Sequence, residues 1–125
     1  MAGGGWTVEY YETADGASVV EEEMKSFGPK IFARILRAVD LLEDFGIQLG
    51  GDYIVHVRDK IWELRVTRYR VLYFASTGRR FVLLRAFIKK TRKTPEKETN
   101  LAQGRLEDHV ARAAVVRAPK GELDA

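Results

Sequence analysis

The sequence has no cysteine and only two histidines and three prolines in 125 residues. Without thiols there is no disulfide framework and no thiolate metal site. The two histidines, His56 and His109, lie far apart in the chain, which argues against a zinc centre. No apolar run approaches the roughly 18 residues of a membrane helix, and the opening MAGGGW has no basic stretch of the signal-peptide kind. The expectation is a cytoplasmic protein with no membrane association, no metal and no small-molecule cofactor. Motifs of the G-x-x-x-x-G-K, G-x-S-x-G and H-E-x-x-H types are also missing, which removes the phosphate-loop, serine-elbow and zinc-peptidase classes.

Acid is scarce in one place. From Arg58 to Lys93 the chain carries twelve Lys/Arg against only Asp59 and Glu63, a net +10 on a chain whose total is +3, so the remainder is acidic. Charge segregated in this way suits a polyanion or an acidic partner. With 46% apolar and 31% charged residues, the composition is that of an ordinary globular domain, and the length predicts one domain over 1–125 with flexible ends at about 1–5 and 118–125.

The basic strip is also the most strand-like part. IWELRV, YRVLYFA and RRFVLLRAFI are rich in Val, Ile, Phe, Tyr and Trp, and Thr67-Arg68 and Ser76-Thr77-Gly78 separate them, so they predict an antiparallel meander. Upstream, Trp6–Tyr10 alternates as a short strand, and Ser18 with Glu21 forms a capping box for a short helix to about Lys25. Pro29 opens a second helix whose Phe32, Ile35, Leu36, Val39, Leu42 and Phe45 share one face, with Gly46 as its stop. The stretch from Ile47 to about Lys60 reads as a loop with room for a short strand at Tyr53–Val57. Thr94 as cap and Pro95 in first position open a last helix to about Ala113, with Leu101, Leu106 and Val110 as its apolar contacts. The predicted order is β-α-α-β-β-β-α, an α+β fold with helices packed on one face of a small, mostly antiparallel sheet.

A two-residue turn at Thr67-Arg68 sets Arg65 opposite Arg70, with Glu63 on the same strand face as Arg65. Like charges opposed on a sheet are destabilising, so two arginines kept there are either splayed into water or used on an anion. On this reading, Arg70→Gln should leave stability unchanged or slightly improved. Lys89, Lys90, Arg92 and Lys93 add charge where the last strand leaves the sheet, beside a helix N-terminus. Arg85 interrupts the most apolar strand and needs a buried partner or an open groove. His56 is a loop histidine and a minor candidate, and Tyr69 and Tyr73 belong to the core or an interface.

The stretches IWELRVTRYRVLYF and FVLLRAFIKKTRKTP resemble the phage-derived, HigB-like toxins of the RelE/ParE superfamily, over roughly Trp6 to Val110. The resemblance implies a RelE-like fold and the toxin of a type II toxin–antitoxin system. It implies ribosome-dependent cleavage of messenger RNA, with inhibition of DNA gyrase, as in the ParE-like branch, as the alternative. The implied partners are an antitoxin of the HigA helix-turn-helix type and messenger RNA on the ribosome. Carried over by position, Arg65, Arg70, Glu63 and Lys90 become the catalytic candidates, Arg70 as the phosphate-contacting arginine and Glu63 as the nearest base. Arg58, Lys60, Arg68, Arg85, Lys89, Arg92 and Lys93 become RNA-binding candidates. Many relatives have a histidine or tyrosine near the last strand's end, and AFIKKTRKTPEKE has neither.

Overall fold

A computed structural model describes residues 5–117; of the ends expected to be flexible, about 1–5 and 118–125, residues 1–4 and 118–125 lie outside the described residues. In chain order the elements are β1 (Thr7–Tyr10), α1 (Val19–Lys25), α2 (Pro29–Phe45) with a 3-10 turn at Gly46–Leu49, β2 (Ile54–Arg58), β3 (Ile61–Val66), β4 (Tyr69–Ser76), β5 (Arg80–Ile88) and α3 (Glu96–Arg117). They form one five-stranded sheet in the order β1-β5-β4-β3-β2. The meander is present, and the short strand expected at Tyr53–Val57 is β2, an edge strand paired antiparallel to β3. β1 closes the other side by pairing parallel to β5.

Helices cover both faces of the sheet, not one as the sequence suggested. Register and alternation put Trp62, Leu64, Tyr69, Val71, Tyr73 and Phe81 on one face. There Trp6 stacks on Phe81 with ring centroids 4.2 Å apart, and Phe27, just before α2, meets Tyr69. The opposite face carries Glu63, Arg65, Arg70, Phe74 and Arg85. It meets α3, through Phe74 against His109 and Arg85 Nε donating to Glu98 Oε1 at 2.7 Å. The cause is visible in β4, where Val71, Leu72, Tyr73 and Phe74 are all buried although successive residues point to opposite faces. A strand apolar on both faces needs two covering layers.

Smaller departures have local causes. Ser18 precedes α1, but its hydroxyl does not bond the helix backbone and lies 3.5 Å from Glu21 Oε1. Helix α3 starts one residue late because the Pro95 carbonyl accepts from the Glu98 and Thr99 amides, and it runs to Arg117 rather than Ala113. Its buried contacts are Ala102 and Leu106, whereas Leu101 and Val110 are exposed. On α2 the buried set is Ile35, Ala38, Val39 and Leu42, with Phe45 exposed.

Gly46 ends α2 as expected, at φ +57 and ψ −136. A Cβ added there would lie 2.5 Å from Trp6 Nε1. Gly46→Ala should therefore destabilise the fold by roughly 1–3 kcal/mol through backbone strain and displacement of the Trp6–Phe81 stack. A lowered urea midpoint at unchanged slope is the expected readout; an unchanged midpoint would show that Trp6 moves aside freely.

Candidate functional site

The basic side of the sheet is organised by an acid. Glu63, on β3, is 2% exposed. Its carboxylate is 3.3 Å from Arg70 Nε and 3.9 Å from Arg65 Nε, and it accepts a short hydrogen bond from the Thr94 hydroxyl. Arg65 and Arg70 face each other in the β3–β4 register, as the two-residue turn predicts. The repulsion expected between them is relieved by Glu63 lying between the two charges, which the pairwise reading left out.

The two arginines then differ in role. Arg70 is buried, and its Nη1 donates to the carbonyls of Thr67 at 2.7 Å and Tyr69 at 2.9 Å. Thr67 sits in the left-handed region at φ +53, a conformation a β-branched residue avoids, so Arg70 helps hold the turn that sets the register. Burial lowers the Arg70 pKa, Glu63 opposes that shift, and the nearby charge of Arg65 adds to it. Arg70→Gln is therefore expected to destabilise the protein, the reverse of the sequence expectation. The Arg65 side chain is 38% exposed and opens onto solvent.

Beside Glu63 runs a groove of about 890 Å³ between β2, β3 and the segment leading into α3. It is lined by the cations Arg58, Arg65, Lys89 and Lys93 against two carboxylates, Glu63 and Glu96. The start of α3, with Thr94 and Pro95 just before it and Thr99 in its first turn at the wall, adds the positive end of the helix dipole. Arg58 Nη2 donates to Asn100 Oδ1 at 2.8 Å, while its buried Nε–H meets no hydrogen-bond partner among the described residues.

The remaining candidates lie elsewhere. Arg85 is held between Glu98 and Glu23, whose Oε2 is 2.8 Å from Arg85 Nη1. It has the carboxylate partners the sequence demanded, and it lines a cleft as well. Lys90 shares a neighbouring cleft with Arg85 and Lys97, and Lys60 lines a separate pocket with His109 and Arg112. Arg68 and Arg92 are exposed at the β3–β4 turn and in the loop before α3. His56 borders the groove, but its ring lies edge-on to Trp62, on the strand face opposite Glu63 and Arg65, with Nε2 2.7 Å from the Asp59 carbonyl. The sequence reading missed Glu96 as a groove residue and Asn100 as the partner of Arg58, and treated Thr94 only as a helix cap. A reading one element at a time places α3 after the strands and does not show that its first turn packs beside β2 and β3.

A family profile described as "Phage derived protein Gp49-like (DUF891)" matches residues 22–107. No curated protein matches the sequence significantly. Among solved structures, a chain of the toxin–antitoxin complex RelBE2 from Mycobacterium tuberculosis superposes with a TM-score of 0.52 at 19% identity, over 67% of this chain and 98% of that one. That likeness is one of fold, while the profile spans more than half of the sequence. The chain belongs to the Gp49-like, phage-derived family and has the RelE-like toxin fold.

Proposed function

We propose that the chain is the toxin of a type II toxin–antitoxin pair and that its groove cleaves messenger RNA on the ribosome, as the HigB-like resemblance implies. The observation that carries this reading is the gathering of Arg58, Arg65, Lys89 and Lys93, from β2, β3 and the β5–α3 connection, around one groove. The family membership, and the toxin–antitoxin complex that shares the fold, support the reading and with it an antitoxin as partner.

The chemistry asks little of a protein. The RNA 2′-hydroxyl attacks the adjacent phosphorus and the 5′-oxygen leaves, giving a 2′,3′-cyclic phosphate and a free 5′-hydroxyl. A base takes the 2′ proton and an acid returns one to the leaving oxygen. The rest is holding the phosphate in line and stabilising the pentacovalent charge, for which guanidinium donors are suited. Arg65 and Arg58 take the phosphate, and Lys89 and Lys93 meet the charge that develops. Glu63 and Arg70 act as positioning residues behind Arg65. Glu63 already serves two cations and a hydroxyl, so Glu96 is the accessible carboxylate for proton transfer, with the two lysine ammonium groups as acids.

The test is induction of this chain alone in a bacterial host, followed by mapping of 5′ ends on cellular messages. The expected result is growth arrest with loss of translation and new internal 5′ ends. Intact messages and normal protein synthesis alongside supercoiling defects would replace this reading with gyrase inhibition. A second measurement follows from the groove's charge. Four phosphate contacts predict that single-stranded RNA binding falls with salt at a log–log slope of about −3; a flat dependence would show that the groove does not hold a backbone.

A further inference from the structure

We propose that the outer edge of β2 is a docking strand for an extended, acidic segment of a partner protein, which joins the sheet beside it. The other open edges of the sheet are closed by side chains. On β1, the Val8 amide donates to Glu43 Oε2 at 3.1 Å, an α2 side chain standing where a further strand would pair. β5 runs on past Leu83, the last residue opposite β1, and there too side chains take the place of a strand. The Ala86 amide donates to Glu23 Oε1 at 3.1 Å, and Arg105 donates to the Leu84 carbonyl at 2.8 Å. Each is a device that keeps an unpaired edge from recruiting a neighbour.

On β2 the Gly50 carbonyl takes the outward amide of Ile54 at 3.0 Å, but among the described residues nothing stands in the place of a strand at His56. The Tyr53 carbonyl accepts from the Arg65 amide at 2.7 Å, and Val55 pairs with Glu63, so these residues turn their backbone groups toward β3. By alternation, the N–H and C=O of His56 point away from the sheet. The strand reads IVHVR, without proline or lysine, and Tyr53, Val55 and Trp62 around it are exposed. A bulge between His56 and Arg58 ends the regular edge on that side.

The two faces beside this edge specify the occupant. One presents Trp62 with the His56 ring against it. The other opens on the groove, with Arg58 and Arg65 on the strands and Lys89 and Lys93 at its wall. A strand lying along β2 therefore meets apolar surface with one set of alternate side chains and cations with the other. The matching segment alternates apolar and acidic residues, and its main chain supplies the hydrogen bonds. A bare polyanion such as RNA satisfies the cations and leaves the edge amide unpaired. This reading is independent of whether the groove cleaves RNA.

The experiment uses isotope-labelled chain and a short synthetic peptide alternating Glu and Val. Paired residues on antiparallel strands share a face, so the Val residues, over Trp62, are the ones whose amides pair with His56. Saturating peptide should slow exchange of the His56 amide roughly tenfold or more. N-methylation of the Val amides should abolish that protection, whereas N-methylation of the Glu amides should preserve it. Equal behaviour of the two methylated peptides would overturn the proposal, because charge alone would then explain binding. So would a His56 amide that peptide never protects. Slow exchange at His56 in concentrated chain without peptide would overturn it too, since a second copy would then hold the edge.

Discussion

Glu63→Ala should lower the unfolding free energy by about 3–5 kcal/mol, the usual cost of removing one member of a buried ion pair. The loss is a large share of the stability of a domain this size. Its origin is less the removed carboxylate than what remains. The Arg70 side chain is 8% exposed and faces Arg65 across the hairpin, so without Glu63 a buried guanidinium stands against a like charge. The Thr94 hydroxyl, which places the start of the α3 segment against the sheet, loses its acceptor at the same time. Arg70→Ala should also destabilise, but adding it to Glu63→Ala should cost less than the two losses summed, because the orphaned charge is gone. Urea midpoints of the four proteins give the coupling directly. Strict additivity, or a Glu63→Ala midpoint equal to the parent's, would show that the carboxylate does not hold the cluster together.

How much of this was legible in the sequence depends on the range of each interaction. The β3–β4 hairpin was legible because a two-residue turn fixes register locally, and Arg65 does fall opposite Arg70. Helix α2 was legible from its apolar stripe and the Gly46 stop. Three features depend on contacts distant in sequence and were not. The parallel pairing of β1 with β5 joins residues about seventy positions apart. The burial of Ala102 rather than Leu101 depends on how α3 rolls on the sheet, and a helix with so weak an apolar stripe gives little sign of it. The third is the role of Glu63: counted by charge it was one of two acids in a basic strip, yet geometrically it is where Arg65, Arg70 and Thr94 meet.

The same distinction separates the twelve cations of the strip. Arg70 and Arg85 are neutralised by Glu63, Glu23 and Glu98 and work for the fold. Arg58, Arg65, Lys89 and Lys93 line the groove. A net charge of +10 thus overstates what a bound polyanion meets, and the part that counts is the smaller, converging set. Burial and partner count, more than position in a motif, assign the roles here: the arginine of the Y-R strand is the structural member of the pair, and its neighbour across the hairpin is the exposed one.

Arg65→Gln is therefore expected to separate activity from stability. Arg65 is partly exposed and 3.9 Å from Glu63, a distance at which an ion pair in contact with water contributes little, so stability should change by less than about 1 kcal/mol. Glu63 keeps Arg70 and Thr94, and the hairpin register keeps the Arg70 bonds to Thr67 and Tyr69. Under the proposed function, the same change removes a guanidinium donor from the phosphate. Loss of one such transition-state contact costs roughly a hundred- to a thousandfold in rate. Arg65→Lys should recover only part of this, because an ammonium keeps the charge without the planar pair of donors. The measurement is message cleavage in a translating ribosome reaction, followed by primer extension, beside a urea titration of the same preparations. A folded Arg65→Gln protein that cleaves at the parental rate would remove Arg65 from the site. A variant that unfolds several kcal/mol early would make Arg65, like Arg70, a residue of the fold.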